Sequence, residues 1–332
     1  MRFMPVVALL LTAPLSAQQL DGSFTLRASE KDDRVNLNLQ YEDGRSNYGR
    51  TVERSVFANV TRSGDRITFT LRREPGSFTF EGKGSMDRAS GWYGFAPSQN
   101  FRQDLERLGF RDIDARDLFV FALDDLTVAK VKQLQQLVSN TLDTDELVQL
   151  INHGAGFKYI QSMTDMGFKN LRSDEYRRAR DHGVSADFAH EMADLGMKLQ
   201  LEELIRTRDH GVTPEYIRTM RNAGYKLQLE ELVRARDHGV TTEFMRRMSA
   251  LGYDKLPLDE YVRMRDHGVT PDFVESLRTL GYTNLSANEL VRLRDHGVSA
   301  NYIQRVKETF KDKPTIEELI RMRDSGAGPR RR

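Results

Sequence analysis

The sequence predicts an α+β chain in two parts. An N-terminal antiparallel β domain, a small sandwich or a rolled sheet, precedes an all-α array of helical hairpins. Three observations carry this. Apolar and polar residues alternate between residues 20 and 97. From about residue 98 the apolar spacing becomes helical. Finally, the decapeptide RDHGVTPEYI at Arg208–Ile217 returns, lightly altered, from Arg180, Arg236, Arg265 and Arg294.

The chain opens with MRFMPVVALLLTAPLSA, in which Arg2, the apolar Val6–Leu11 and the small residues before Gln18 read as a secretory signal over residues 1–17. The expectation is an exported protein, periplasmic or extracellular, and not an integral membrane protein once that leader is cleaved. Lys and Arg number 50 against 49 Asp and Glu, so the basic excess of a nucleic-acid binder is missing. Cysteine is absent, which excludes disulfides, a thiol nucleophile and thiolate-held metals.

In the β domain (20–97), Val35, Leu37, Leu39 and Tyr41 alternate with Asn36, Asn38 and Gln40. Ile67, Phe69 and Leu71 alternate with Thr68, Thr70 and Arg72, and Phe78 and Phe80 share one side. Such period-two stretches are half-buried antiparallel strands. The segments EDGRSN, RSGDR and EPGS supply the turns, and five or six strands are expected. The single tryptophan, Trp92 in GWYGF, reads as a core residue rather than a ligand platform.

Helices are expected from residue 98 to 326, in degenerate repeats over 98–150 and regular ones over 151–326, before a basic tail at 327–332. Ser98 is the first N-cap and Gly109 the first stop, with Phe101, Leu105 and Leu108 at helical spacing. His-Gly pairs then recur every 28 or 29 residues, from His153-Gly154 to His296-Gly297, with Ser325-Gly326 in the last such place. Within a repeat, Leu201, Leu204 and Ile205 form an apolar face, acids open the helix and arginines close it, matching its dipole. Gly211 ends that helix in a left-handed turn, Thr213 caps the next and Pro214 opens it. Tyr216, Ile217 and Met220 form the second apolar face, which Gly224 terminates. One such hairpin buries too little apolar surface to offset its own ordering, so neighbours must share a core.

The recurrent residues Asp181, His182, Gly183, Asp209, His210, Gly211, Asp237, His238, Gly239, Asp266, His267, Gly268, Asp295, His296 and Gly297 are therefore read as structural positions of the repeat. Packed helices lie about 10 Å apart, too far for two such histidines to share a zinc at ~2.1 Å, so no metal is expected. HEMAD at His190–Asp194 has Asp194 where a zinc-protease helix carries its second histidine. Arg180, Arg208, Arg236, Arg265 and Arg294, each before an Asp, either form a neutral ion-pair ladder between units or contact a partner; they are the candidate partner-binding residues. No phosphate loop, nucleophile elbow or Ser-His-Asp grouping stands out, and neither a catalytic residue nor a cofactor is expected.

The stretches LEELIRTRDHGVTPEYIRTMRNAGY and LDEYVRMRDHGVTPDFVESLRTLGY resemble a tandem module of exported proteins of soil bacteria, Acidobacteria especially. Similar repeats follow the peptidase domain of some BlaR/MecR-type sensor metallopeptidases. The resemblance is strong over residues 170–326, and the peptidase's HExxH and multi-span region are absent from this sequence. It implies an exported repeat protein, not a protease. The expected function is a non-catalytic scaffold whose array binds a protein or peptide, accessory to an envelope sensor or protease system. The alternatives are a carbohydrate or cell-wall ligand site on the β domain, which would form a cleft near Trp92, Tyr93 and Phe95, and an unrecognised hydrolase with paired carboxylates in a pocket.

Overall fold

The computed structural model describes residues 20–30, 33–41, 46–310 and 313–326. The predicted leader at 1–17, the basic tail at 327–332 and most of the EDGRSN turn lie outside them. Two compact units, residues 1–181 and 182–332, make up the chain.

The first unit opens with one seven-stranded antiparallel sheet. Its strands are β1 (Leu20–Ala28), β2 (Arg34–Tyr41), β3 (Asn47–Glu53), β4 (Phe57–Ser63), β5 (Arg66–Arg73), β6 (Gly76–Ser85) and β7 (Arg88–Pro97), in the order β3-β2-β1-β7-β6-β5-β4. It is a single sheet, not a sandwich, and has more strands than the five or six expected. The strands with the weakest alternation, β3 and β4, are its two edges, where half-exposed residues need no apolar face.

Those edges are consecutive in the chain, joined only by the turn Arg54–Val56. Six strand spacings of about 4.8 Å would hold the edges of a flat sheet about 29 Å apart. Three linking residues span no more than about 15 Å at 3.8 Å per Cα step. The sheet is therefore rolled. Arg54 fastens the closure, with its guanidinium 2.5 Å from Asp87 and its backbone N–H donating to the Asp33 carbonyl. The inward faces bring together Phe24, Leu37, Leu39, Phe69, Phe78, Phe80, Tyr93 and Phe95, all buried.

The helices α1 (Gln99–Arg107), α2 (Ala115–Leu123), α3 (Val128–Leu137), α4 (Thr144–Asn152), α5 (Phe157–Asp165) and α6 (Ser173–Asp181) complete this unit. Ser98 caps α1 by accepting from the Phe101 N–H, and Gly109 follows it at φ 102°. Helix α2 packs against β6 and β7. Its Phe119, fully buried, meets the rings of Tyr41, Phe78, Phe95, Tyr48 and Tyr93 at centroid distances of 4.9, 5.2, 5.4, 5.5 and 5.9 Å. The change from strand to helix at 97/98 thus falls inside a compact unit. Helices α1 and α3, α2 and α4, α3 and α5, and α4 and α6 touch. That every-second-helix pattern makes the weakly patterned segment 98–150 part of the repeat architecture.

The second unit contains α7 (Ala186–Asp194), α8 (Leu201–Asp209), α9 (Pro214–Asn222), α10 (Leu229–Asp237), α11 (Thr242–Ala250), α12 (Leu258–Asp266), α13 (Pro271–Thr279), α14 (Ala287–Asp295), α15 (Ala300–Thr309) and α16 (Ile316–Asp324). Contacts again join every second helix, as in α7–α9, α9–α11, α11–α13, α13–α15, α12–α14 and α14–α16. The local chemistry follows the repeat. Thr213 accepts from the Tyr216 N–H, Pro214 opens α9, and Gly211 and Gly224 lie at φ 66° and 92°. Val212 packs back at the bend and is fully buried.

One repeat departs from this rule, and a distant residue explains it. Where Ser185 or Thr213 caps its helix, the HGAG repeat has Gly156 before α5, with no side-chain cap. A Cβ on Gly156 would lie 2.6 Å from Oδ2 of Asp124, so that carboxylate occupies the space a side chain there would take. Burial raises the Asp124 pKa, opposed by Arg50, Lys130 and Lys158 and reinforced by Asp125. Gly156 has an ordinary φ of −66°, but it is an N-cap, where alanine is less favourable than glycine, and the carboxylate adds a steric cost. Gly156→Ala is expected to lower the thermal midpoint. Pairing Gly156→Ser with Asp124→Gly should restore it, because the introduced serine can then cap α5 itself. A stabilising single Gly156→Ala would show that Asp124 does not hold this place.

Candidate functional site

The repeated RDHG tetrapeptide builds the seams between successive hairpins. Each histidine ends its helix, and its Nδ1 meets the aspartate just before the histidine one repeat on. His153–Asp181 forms this pair in the first unit. His182–Asp209, His210–Asp237, His238–Asp266, His267–Asp295 and His296–Asp324 form it in the second. All lie between 2.5 and 2.9 Å. A carboxylate only accepts, so Nδ1 carries the donated proton. The series is bounded by substitution, with Asn152 at the aspartate position of the first histidine repeat and Ser325 at the histidine position of the last.

The arginine of the tetrapeptide does not pair with its neighbouring aspartate. It reaches back one repeat and lies over an aromatic ring: Arg180 over Tyr159, Arg208 over Phe188, Arg236 over Tyr216, Arg265 over Phe244, Arg294 over Phe273 and Arg323 over Tyr302. The centroid distances run from 4.9 to 5.4 Å. Stacking in this way gives a guanidinium roughly 0.5–1 kcal/mol at an exposed site and more where it is desolvated. The same guanidinium presses on the glycine of the bend. A Cβ at Gly183, Gly211, Gly239 or Gly268 would lie 2.9, 2.8, 2.9 or 3.1 Å from Nη2 of Arg208, Arg236, Arg265 or Arg294. Glycine is thus favoured there by its positive φ, and a side chain would in addition displace the next repeat's arginine.

Further contacts cross the seams. Where a tyrosine follows the second-helix stop it donates into the following loop, from Tyr225 to the Leu256 carbonyl, from Tyr253 to Leu285 at 2.6 Å and from Tyr282 to Pro314 at 2.8 Å. First helices are linked by Arg206–Glu230 at 2.6 Å, Arg234–Asp259 at 2.9 Å and Arg292–Glu317.

The two helices of a hairpin therefore present different surfaces. In α8, α10, α12, α14 and α16 the third residue is always glutamate and the sixth always arginine. In α7, α9, α11, α13 and α15 the fifth residue is His190, Arg218, Arg246, Glu275 and Gln304 in turn. The ninth is Asp194, Asn222, Ala250, Thr279 and Glu308, and all ten are exposed. Both helices contribute to the seams, the second through Arg218–Glu191 at 3.2 Å and Arg247–Glu275 at 3.0 Å, and the second helices also carry exposed side chains that differ from repeat to repeat. His190, in HEMAD, is one of these, 3.6 Å from Asp194.

On the β domain, the reading of Trp92 as core is corrected. It is 67% exposed, while Tyr93 and Phe95 are buried. Strand parity explains this: Tyr93 and Phe95 take the inward positions of β7, which turns Trp92 outward. The outer row through it runs Asn47, Gln40, Ser23, Trp92, Glu81, Thr68 and Thr61, one residue from each strand. A shallow groove of about 290 Å³ beside it is lined by Ser23, Phe24, Thr25, Asn38, Gln40 and Asn47.

A second cleft, of about 360 Å³, includes Arg34, Arg50, Arg73, Lys158, Asp124 and Asp125 in its lining. Its adjacent carboxylates are engaged. Asp125 lies 3.1 Å from Arg73 and 3.0 Å from Lys130, and Asp124 sits against Gly156. The repeat spacing gave no sign of this cleft, which gathers residues from three strands and two helices. Among the described residues no group of three His, Asp or Glu side chains is placed to hold a metal ion. None of the described helices is long and apolar enough to cross a membrane.

No family model, curated protein or solved structure matches this chain.

Proposed function

We propose that the protein is a non-catalytic binding scaffold that presents the second-helix face of its array, α7, α9, α11, α13 and α15, to a protein or peptide partner. One observation carries the reading. Exposed side chains that differ from repeat to repeat occupy the fifth and ninth positions of those helices, while the first helices keep glutamate at the third position and arginine at the sixth. Repeat arrays bind through extended surfaces of this kind, in which each unit contributes its own side chains. The arginines Arg180, Arg208, Arg236, Arg265 and Arg294 serve this function by stiffening the seams, with their outer edges as further contacts. The leader-like N-terminus and the resemblance to repeats of sensor metallopeptidases favour an envelope setting and a role beside a sensor or protease.

A photoreactive residue placed singly at Arg218, Arg246 or Glu275 in the full-length chain tests this in the native envelope. Cross-links to one defined partner are expected from these positions and not from Glu203 or Glu231 on the first helices. Equal labelling from both faces, or labelling from neither, would contradict the proposal.

A further inference from the structure

The geometry points to a saccharide-binding site on the outer face of the rolled sheet, centred on Trp92 and separate from the array. Large apolar side chains are seldom left outward in the middle of a sheet, because burial of such a ring is worth several times RT. Trp92 stands on β7, an interior strand with β1 on one side and β6 on the other, and no other described large apolar residue is as exposed. None of the described residues covers it.

Its surroundings select the ligand. Toward β3 the same row continues as Ser23, Gln40 and Asn47, three strand steps of about 4.8 Å each, or about 14 Å in all. These are two amides and a hydroxyl, and the neighbouring row adds Thr25 and Asn38. Each amide offers both donors and acceptors. Gly49 opposite Asn38 leaves room for that side chain to lie over β3, since a Cβ there would stand 2.8 Å from the Asn38 amide oxygen. A flat indole with an apolar face, flanked on one side by uncharged donors and acceptors and a shallow groove, matches a pyranose ring. The ring's C–H face stacks on the indole, and its hydroxyls take up the amides. Among the described residues no charged side chain lines the groove, so the ligand chemistry is that of a neutral oligosaccharide. A protein surface or an acidic lipid would need more apolar area or more cationic charge than these residues supply.

The chain contains one tryptophan, so its fluorescence reports this site alone. The full-length protein is titrated with cellopentaose, maltopentaose and penta-N-acetylchitopentaose, and incubated with purified peptidoglycan in a sedimentation assay. A saturable change in Trp92 emission with at least one glycan is expected. Trp92→Ala and Asn38→Ala/Gln40→Ala should each weaken retention on the matching polymer at least tenfold. The thermal midpoint of both variants should stay at that of the parent, because these side chains face outward. Unchanged emission throughout would overturn the site, and so would retention that survives Trp92→Ala. A variant set that abolishes cross-linking to a protein partner while leaving every glycan inert would assign this face to that protein instead. Loss of glycan binding leaves the array proposal intact, since the second-helix cross-links read that face independently.

Discussion

Replacing Phe119 by alanine is expected to destabilise the sheet-bearing unit by about 3–5 kcal/mol, the range for a fully buried aromatic truncated in a packed core. Phe119 is the helical side chain that enters the rolled sheet, and five rings from β2, β3, β6 and β7 surround it. The cavity left behind cannot collapse easily, because the sheet is held by its own ladder and by the Arg54 closure. Native-state hydrogen exchange of the full chain checks this. Amides of β6 and β7 should lose most of that protection, while those of α10 and α12 in the second unit keep theirs. A loss below about 1 kcal/mol would mean that the sheet encloses its core without α2.

The second large effect concerns the bends, where two glycines of one repeat separate two costs. Gly224→Ala places a Cβ at φ 92° with nothing within 4 Å, so only backbone strain of about 1–2 kcal/mol applies. Gly211→Ala, at φ 66°, lies nearer the left-handed minimum and carries less backbone strain, but its Cβ falls 2.8 Å from Nη2 of Arg236. The guanidinium must shift from its place over the Tyr216 ring, a contact worth ~0.5–1 kcal/mol. Gly211→Ala is therefore expected to open amides on both sides of its seam and to be partly relieved by Arg236→Ala. Urea denaturation of the three variants reads the difference. A Gly211→Ala cost unchanged by Arg236→Ala would show that Arg236 is not pinned to the bend.

Much of this was legible beforehand, and for local reasons. Caps, stops and apolar faces are set by residues within a few positions of one another. The sequence thus shows Ser98, Thr213, Pro214, Gly211 and Gly224 in their roles directly. Alternation likewise marks β2, β5 and β6. What escaped it depends on partners far along the chain. The arginine and aspartate of RDHG are adjacent in sequence and look like an ion pair. In space each turns to a different residue of the preceding repeat, a ring for the arginine and a histidine for the aspartate. The approach of Asp124 to Gly156, and the packing of Phe119 in the sheet, are pairings across 24 residues or more that no periodicity encodes. Trp92 is different in kind. Its outward direction follows from the parity of Tyr93 and Phe95, which take the inward positions of β7.

The seam chemistry also sets how the protein can change in length. Every junction in the second unit uses the same donor, acceptor and stacked ring, so the repeats are interchangeable at their edges. Excising residues 201–228 would leave His182 facing Asp237 and Phe188 facing Arg236, with the same chemistry at the new junction. Insertions and losses of whole hairpins thus preserve the seam chemistry, and the same His–Asp pair forms across both 28- and 29-residue repeat spacings, so the loops absorb a one-residue change. The outward-facing side chains ride on these units as exchangeable cassettes, so the length of the array and the set of side chains it displays can change together by recombination.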